Sequence, residues 1–264
     1  MTKRIYSLIP DGPNTWVDVF CGSGIVTLKK PRHAREVMND LNDEVTNLFE
    51  VLRSGQAEKL LSMVEMTPFA QQELTARYES ETPTDPIEKA WAFLIESWFG
   101  RGGDCHKTGF RWSKGSTVAP EIAWARLPER LTACAERLRG VCIRKDDAFK
   151  IIDDYDTPEC ILFVDPPYPG KVGLRYKVKM PDQRQIDLAN RLKECDAKVI
   201  LTMGVDTVYD EILSDWIRHD VSVVTCASTT KPEVIFTNFN PDDFDHGPLF
   251  GPGTDISQVS TTQT

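Results

Sequence analysis

The chain has no apolar run approaching the ~20 residues needed to cross a bilayer, and none of its seven cysteines forms a Cys-x-x-Cys pair. The first absence argues against a helical membrane protein. The second, with four histidines lying far from each other, argues against a zinc site. Cys21, Cys105, Cys134, Cys142, Cys160, Cys195 and Cys226 are scattered and odd in number, which does not build a disulfide framework. They read as free thiols in a reducing cytoplasm, with Cys142 and Cys160 acting as small hydrophobes in strands. The N-terminus, Met1-Thr2-Lys3-Arg4-Ile5, lacks the apolar core of a signal peptide. Basic excess is missing too: the net charge is −9. That weighs mildly against nucleic acid as partner unless positive charge is concentrated locally.

What is present is ordinary for a globular protein, with 41% hydrophobic and 27% charged residues. At 264 residues the chain suffices for one large α/β domain or a domain with a sizeable insert. Its most informative stretch is Ile161-Leu162-Phe163-Val164-Asp165-Pro166-Pro167-Tyr168. The apolar run reads as a strand buried on both faces of a parallel sheet. The prolines end it, since neither has an N–H for a ladder and each fixes φ near −65°. Asp165 is thereby presented as an acceptor, the Pro166 carbonyl is left available, and Tyr168 offers a flat face. Two oxygens and a ring suit an amino-bearing heterocycle. A plain turn ending a strand is the competing reading.

Upstream, a strand over Trp16–Phe20 runs into Cys21-Gly22-Ser23-Gly24 and a helix over Ile25–Lys30. Strand, Gly-x-Gly, helix is the pattern of a nucleotide-binding crossover, although a lone Gly-x-Gly is also a common turn. A second strand, Arg35–Met38, ends at Asn39-Asp40, where an acid in such folds binds a ribose hydroxyl. Asp40 could equally cap the amphipathic helix predicted over Glu44–Arg53. The α/β rhythm then stops. Residues 54–139 read as an inserted helical subdomain, with helices expected within Gln71–Tyr78 and Ile87–Phe99. The insert holds a polar, glycine-rich loop from Gly100 to Gly115, where Arg101, Lys107, Arg111 and Lys114 interleave with Phe110 and Trp112. That composition suits gripping phosphates and stacking on bases. With Arg126, Arg130, Arg137 and Arg139 it makes a basic stretch in an acidic chain.

The rhythm resumes with a strand at Val141–Ile143, followed by Asp146-Asp147-Ala148 and a helix to Asp153. After Tyr168 come a basic loop over Lys171–Lys179, a helix capped by Asp182, a strand over Lys198–Met203 and a helix over Thr207–Trp216. A closing strand pair, Val221–Val224 with Glu233–Thr237, follows. The tail 241–264 has a disordered composition. The expected architecture is an α/β, Rossmann-like sheet built from residues 1–53 and 140–240, interrupted by the helical insert. A glycine turn and three acids would lie at carboxyl ends of strands, facing one crevice.

This order of segments resembles the Dam-like, alpha-group DNA adenine-N6 methyltransferases, from about Trp16 to Asn240. Asp18-Val19-Phe20-Cys21-Gly22-Ser23-Gly24, Val37-Met38-Asn39-Asp40-Leu41-Asn42, Asp147-Ala148 and Asp165-Pro166-Pro167-Tyr168 carry the resemblance. It implies S-adenosyl-L-methionine as methyl donor, with Asp18, Phe20, Cys21, Gly22 and Gly24 at its methionine part. Asp40 would meet the ribose and Asp147 the adenine amino group, with Asp165 bordering that pocket. Asp165, Pro166, Pro167 and Tyr168 would hold a flipped target adenine. Arg101, Lys107, Arg111, Trp112 and Lys114 would contact double-stranded DNA. A monomeric protein of bacterial or phage origin is implied, with a cognate restriction endonuclease as possible partner. Family members usually begin with a Gly-Gly-Lys segment, for which Lys3 is only a partial replacement, so an impaired cofactor pocket is one expectation. Two alternatives follow: a DNA-binding protein without transfer activity, or a methyltransferase acting on RNA or protein glutamine. The Asp at 165 and the basic loop favour DNA.

Overall fold

The computed structural model describes residues 1–101, 107–113, 119–170, 176–224 and 230–244. Their contacts group them into two compact units. One lies within Met1–Leu41, Arg144–Gly173 and Val178–Gln263, the other within Asn42–Ile143 and Leu174–Lys177.

The first unit carries the sheet. Its strands are β1 (Thr15–Asp18), β2 (Arg35–Asn39), β4 (Cys160–Val164), β5 (Lys198–Gly204), β6 (Ile217–Val224) and β7 (Thr230–Thr237). With β3 (Val141–Arg144) the strand order is β3-β2-β1-β4-β5-β7-β6. β1 pairs in parallel with β2 and β4, and β4 with β5. β7 is antiparallel to both β5 and β6, so the expected closing pair is present. β6 starts four residues earlier than its sequence suggests, at Ile217 (217 against 221). The preceding helix, expected to reach Trp216, ends at Ile212.

Both faces of the sheet are covered, which explains why β4 is apolar throughout. Leu162 and Val164 point with Val17, Val199, Leu201 and Phe236 toward α9 (Ala148–Tyr155), α10 (Asp182–Lys193) and α11 (Thr207–Ile212). Ile161 and Phe163 point the other way, with Trp16, Ile200 and Ile235, toward α1 (Thr2–Tyr6) and Val26 of α2 (Ile25–Lys29). Burying each such side chain stabilises the fold by roughly 1.5–3 kcal/mol. Asp182 is the first residue of α10 rather than its cap. The capping position is Pro181, which has no side-chain donor or acceptor to offer. Of the two cysteines read as small hydrophobes in strands, Cys160 is buried, whereas Cys142, on β3 at the edge of the sheet, is exposed.

The second unit is helical: α3 (Asp43–Arg53), α4 (Ala57–Met66), α5 (Gln71–Glu79), α6 (Pro86–Phe99), α7 (Pro120–Ala125) and α8 (Leu127–Arg137). α3 groups with these helices because its apolar stripe, Val45, Leu48, Phe49 and Leu52, packs with α6 and α8. Asn42 caps α3 by accepting the Glu44 N–H at 3.1 Å, a contact worth ~1 kcal/mol. Asp85 caps α6 in the same way, just ahead of Pro86 in the first turn.

Candidate active site

β1 leads to β2 on one side, while β4 continues to β5 on the other. Where strand order reverses in this way, the carboxyl ends part and leave a crevice. The residues singled out at the ends of β1, β2 and β4 all belong to the first unit.

The β1 end is built as follows. The Val19 N–H still pairs with the Phe163 carbonyl at 2.9 Å, after which the chain turns. The Cys21 N–H donates to the Asn39 carbonyl at 2.8 Å, and the Gly24 N–H to the Cys21 carbonyl at 2.6 Å. Gly22 (φ +47°) and Gly24 (φ +67°) take left-handed conformations that an L side chain would strain. An ideal Cβ at Gly22 would have nothing within 4 Å, so open space lies beside this backbone. Phe20 is half-buried against the sheet core, and Cys21 is buried with its thiol pKa pushed up by desolvation.

Asp40 accepts the Gly22 N–H on Oδ2 at 2.8 Å, which ties the acid after β2 to the glycine turn. It does not cap α3, since Asn42 fills that place. Beside it Asn39, buried, acts as a clip. Its Nδ2 donates to the carbonyls of Val19 and Asp146, both at 3.0 Å, and its Oδ1 accepts the Asp146 N–H at 2.9 Å. One side chain thus fixes the ends of three chain segments.

Asp18 is almost fully buried, at 1% exposure. Its Oδ2 accepts from the Thr27 hydroxyl at 2.6 Å, and Thr27 in turn accepts from Trp16 Nε1 at 2.8 Å. Its Oδ1 is buried with no hydrogen-bond partner among the described residues. Burial raises the carboxyl pKa to about 7; the Thr27 bond opposes this, the nearby Asp165 and Asp40 add to it, and Lys30 pulls the other way.

Asp147 caps α9, accepting the Phe149 N–H on Oδ1 at 3.0 Å, and pairs through Oδ2 with Arg184. The Arg184 guanidinium also lies 4.8 Å from the Phe149 ring centre. Both oxygens of the acid expected to meet an adenine amino group are therefore engaged. A ligand docking on Asp147 must share it with Arg184 or displace that side chain.

At the end of β4, Asp165 follows Val164 next to Thr202 in register, since Val164 pairs with Leu201. Burial raises its pKa to about 6; Thr202 beside it lowers the value and Glu233 raises it. The Thr202 hydroxyl is buried and makes no hydrogen bond of normal geometry. Pro166 is buried, and among the described residues no donor reaches its carbonyl. The Pro167 carbonyl accepts from Gln185 Nε2 at 2.6 Å, and Gln185 Oε1 accepts from the Tyr209 hydroxyl at 2.7 Å. The Tyr168 ring lies over Gly204 at the end of β5, where a Cβ would come 3.6 Å from Cδ2.

Gln185, Tyr209, Thr202, Gly204 and Glu233 were not singled out from sequence. Two had a signal there. Gln185 sits on the buried stripe of α10 with Leu188, Ala189 and Leu192, and Glu233 shares a strand face with Ile235. A polar group on an apolar face is the informative exception.

The residues expected at DNA belong to the helical unit. Arg101, Lys107, Arg111 and Trp112 are all exposed, Trp112 at 57%, while Lys114 lies outside the described residues. The loop ends are tied together, with the Arg101 N–H on the Gly109 carbonyl at 3.0 Å and the Arg111 N–H on the Phe99 carbonyl at 2.6 Å. Lys107 donates to the Tyr78 carbonyl. Phe110, grouped with Trp112 as a base-stacking aromatic, instead packs into a cluster with Phe69 and Phe99, at ring distances of 5.0 and 6.3 Å.

A mostly parallel sheet with a glycine turn after β1 and an Asp-Pro-Pro-Tyr turn after β4 defines a Rossmann-like methyltransferase. Residues 1–85 match the D12 class N6 adenine-specific DNA methyltransferases, which supports the resemblance to the Dam-like adenine methyltransferases. The matched stretch holds the glycine turn and Asp40 but ends before Asp165. No curated protein matches the chain. Adenine-specific methylation of DNA is the activity of the family.

Proposed function

We propose that this protein transfers a methyl group from S-adenosyl-L-methionine to the N6 amino group of adenine in double-stranded DNA, at a defined sequence. The observation that carries the reading is that Asp165, a Pro166 carbonyl that no donor reaches among the described residues, and the Tyr168 ring follow one another beyond the end of β4. The residues at the β1 end fit the methyl donor. Asp18 Oδ1 is a buried acceptor without a donor among the described residues, which a cationic amino group would satisfy, and the turn leaves open space beside the backbone at Gly22.

The donor supplies a methyl group on a positively charged sulfur, whose S–C bond breaks with both electrons remaining on sulfur. Everything else falls to the chain. The adenine amino lone pair is delocalised into the ring and weakly nucleophilic. Asp165 and the Pro166 carbonyl would each accept one of its two N–H bonds, drawing the lone pair out of conjugation. They would also stabilise positive charge as the N–C bond forms. Tyr168 would stack on the base, which must leave the duplex to be reached. Asp165, held basic by burial, then has the proton affinity to take the N–H proton that the methylated nitrogen must shed. The Gln185 bond to Pro167 would keep this turn in place. No protein nucleophile is required.

The test is expression in a methylase-deficient host, followed by long-read detection of modified adenines. One enriched motif bearing N6-methyladenine supports the reading; its absence in DNA, with methyl incorporation into RNA or protein glutamine, overturns it. Asp165→Ala should lose methyl transfer by at least ~1000-fold while binding S-adenosylhomocysteine as the parent does. An active Asp165→Ala protein would show that Asp165 is not the acceptor for the adenine amino group.

A further inference from the structure

Asp18 and Asp165 share their face of the sheet with a third carboxylate. Residues paired across neighbouring strands present side chains to the same face, and alternate residues along one strand do so too. Trp16, Ile161, Ile200 and Ile235 all point into the cluster on the α1 side. Counting forward by twos from them, Asp18, Asp165, Thr202 and Gly204 occupy that side at the strand ends. β7 runs the opposite way, and Glu233, paired with Gly204, lies on the same face one step beyond the level of Asp165 and Thr202. The Tyr168 ring covers the Gly204 position beside it. Glu233 Oε2 is buried without a hydrogen-bond partner among the described residues.

We propose that Glu233 is a positioning residue for methyl transfer: its charge, on the same face of the sheet as Asp165, keeps the Asp165 carboxylate basic enough to accept the target amino group's proton. This rests on the reading of Asp165 as the acceptor for the adenine amino group. The electrostatics agree with the geometry. Glu233 is the charge that raises the Asp165 pKa beyond the effect of burial. Glu233 is itself raised, mainly by burial, with the Met1 amino group and Lys231 opposing. Asp18 faces Asp165 from β1, so a carboxylate stands on either side of it. Two interacting carboxyls release their protons in steps that belong to the pair. A more basic Asp165 makes a stronger hydrogen bond to N–H and holds the departing proton better.

The decisive experiment follows the carboxyl carbons of the full chain labelled with 13C at Asp and Glu, by NMR from pH 4 to 9, with the Asp165 signal assigned by its loss in Asp165→Asn. In the parent, Asp165 should titrate at a raised midpoint. In Glu233→Gln that midpoint should fall, with the coupling to Asp18 left in place. Glu233→Met, which removes the charge without adding a donor, should lower it as well. An unchanged or higher midpoint in Glu233→Met overturns the proposal. This readout needs no turnover, so it stands apart from the methylation reading. Single-turnover transfer then joins the two: the acidic limb of the rate should move to lower pH in Glu233→Gln, and Glu233→Asp should restore it toward the parent. A parent with the Glu233-dependent midpoint but no N6-methyladenine would sink the methylation reading and, with it, the catalytic role of Glu233. A methylating parent without that dependence would sink the Glu233 role alone.

Discussion

Asp18 illustrates how one buried carboxyl links stability to ligand binding. With one oxygen on Thr27 and the other unpartnered among the described residues, its ionised form is disfavoured until a cation arrives. The folded pKa of about 7 stands well above the ordinary aspartate value of 3.8. A raised carboxyl pKa adds to stability fully at low pH and ceases to do so as pH rises through the folded value. Asp18→Asn, which stays neutral, should therefore melt higher than the parent at pH 8, by a few degrees, with the gap closing toward pH 4. Ligand binding runs in the opposite sense. The charged carboxylate is the form that attracts an amino group, so the parent's affinity for S-adenosylhomocysteine should increase from pH 5.5 to about 7 and then level off. By calorimetry Asp18→Asn should bind roughly tenfold or more weakly at pH 8 and lose this dependence. Tight binding by Asp18→Asn with the pH dependence intact would show that the methionine amino group docks elsewhere.

At the scale of elements, the site depends on α10 and α11 gripping the turn after β4. Gln185 bridges from the Pro167 carbonyl to the Tyr209 hydroxyl, and both it and Tyr209 are buried. Tyr209→Phe should cost about 1 kcal/mol in chemical denaturation by leaving Gln185 Oε1 without its donor. Gln185→Leu should slow single-turnover transfer about tenfold without changing S-adenosylhomocysteine affinity. Normal turnover in Gln185→Leu would mean that the two prolines hold the turn unaided. This brace also marks the limit of what the sequence discloses. β4, the glycine turn and the acids after β2 and β4 are legible because each depends on a local rule: apolar runs, positive φ, proline geometry. Asn39 clips three segments through contacts across 107 residues, and Gln185 reaches back 18 residues to Pro167, distances no local pattern encodes. Phe110 misled for the same reason. Beside Trp112 in a basic loop it resembles a stacking aromatic, yet its side chain completes a cluster whose other members come from Phe69 and α6.

At the scale of the whole molecule, the question is how a chain of net charge −9 holds a polyanion. Association with DNA depends on local cations that displace counterions, whatever the sum. Arg101 and Arg111 are exposed within the described part of the loop, and Arg126, Arg130 and Arg139 are exposed in the same helical unit. Binding to duplex DNA should therefore weaken steeply with salt, the logarithm of the association constant falling by about 0.9 per phosphate neutralised for each tenfold rise in salt. Arg111→Ala should weaken binding and reduce that slope by about one. Trp112→Ala should weaken binding by about 1–3 kcal/mol if the ring stacks on a base, with the slope unchanged because no charge is lost. Neither substitution should alter thermal stability, since both side chains are largely exposed. The two variants separate electrostatic grip from stacking in a single fluorescence anisotropy titration series. Were both to bind as the parent does across the salt range, the loop would carry no DNA contact, and the search would move to the arginines of α8 and its flanks. Were Arg111→Ala alone to matter, the loop would hold phosphates without touching a base.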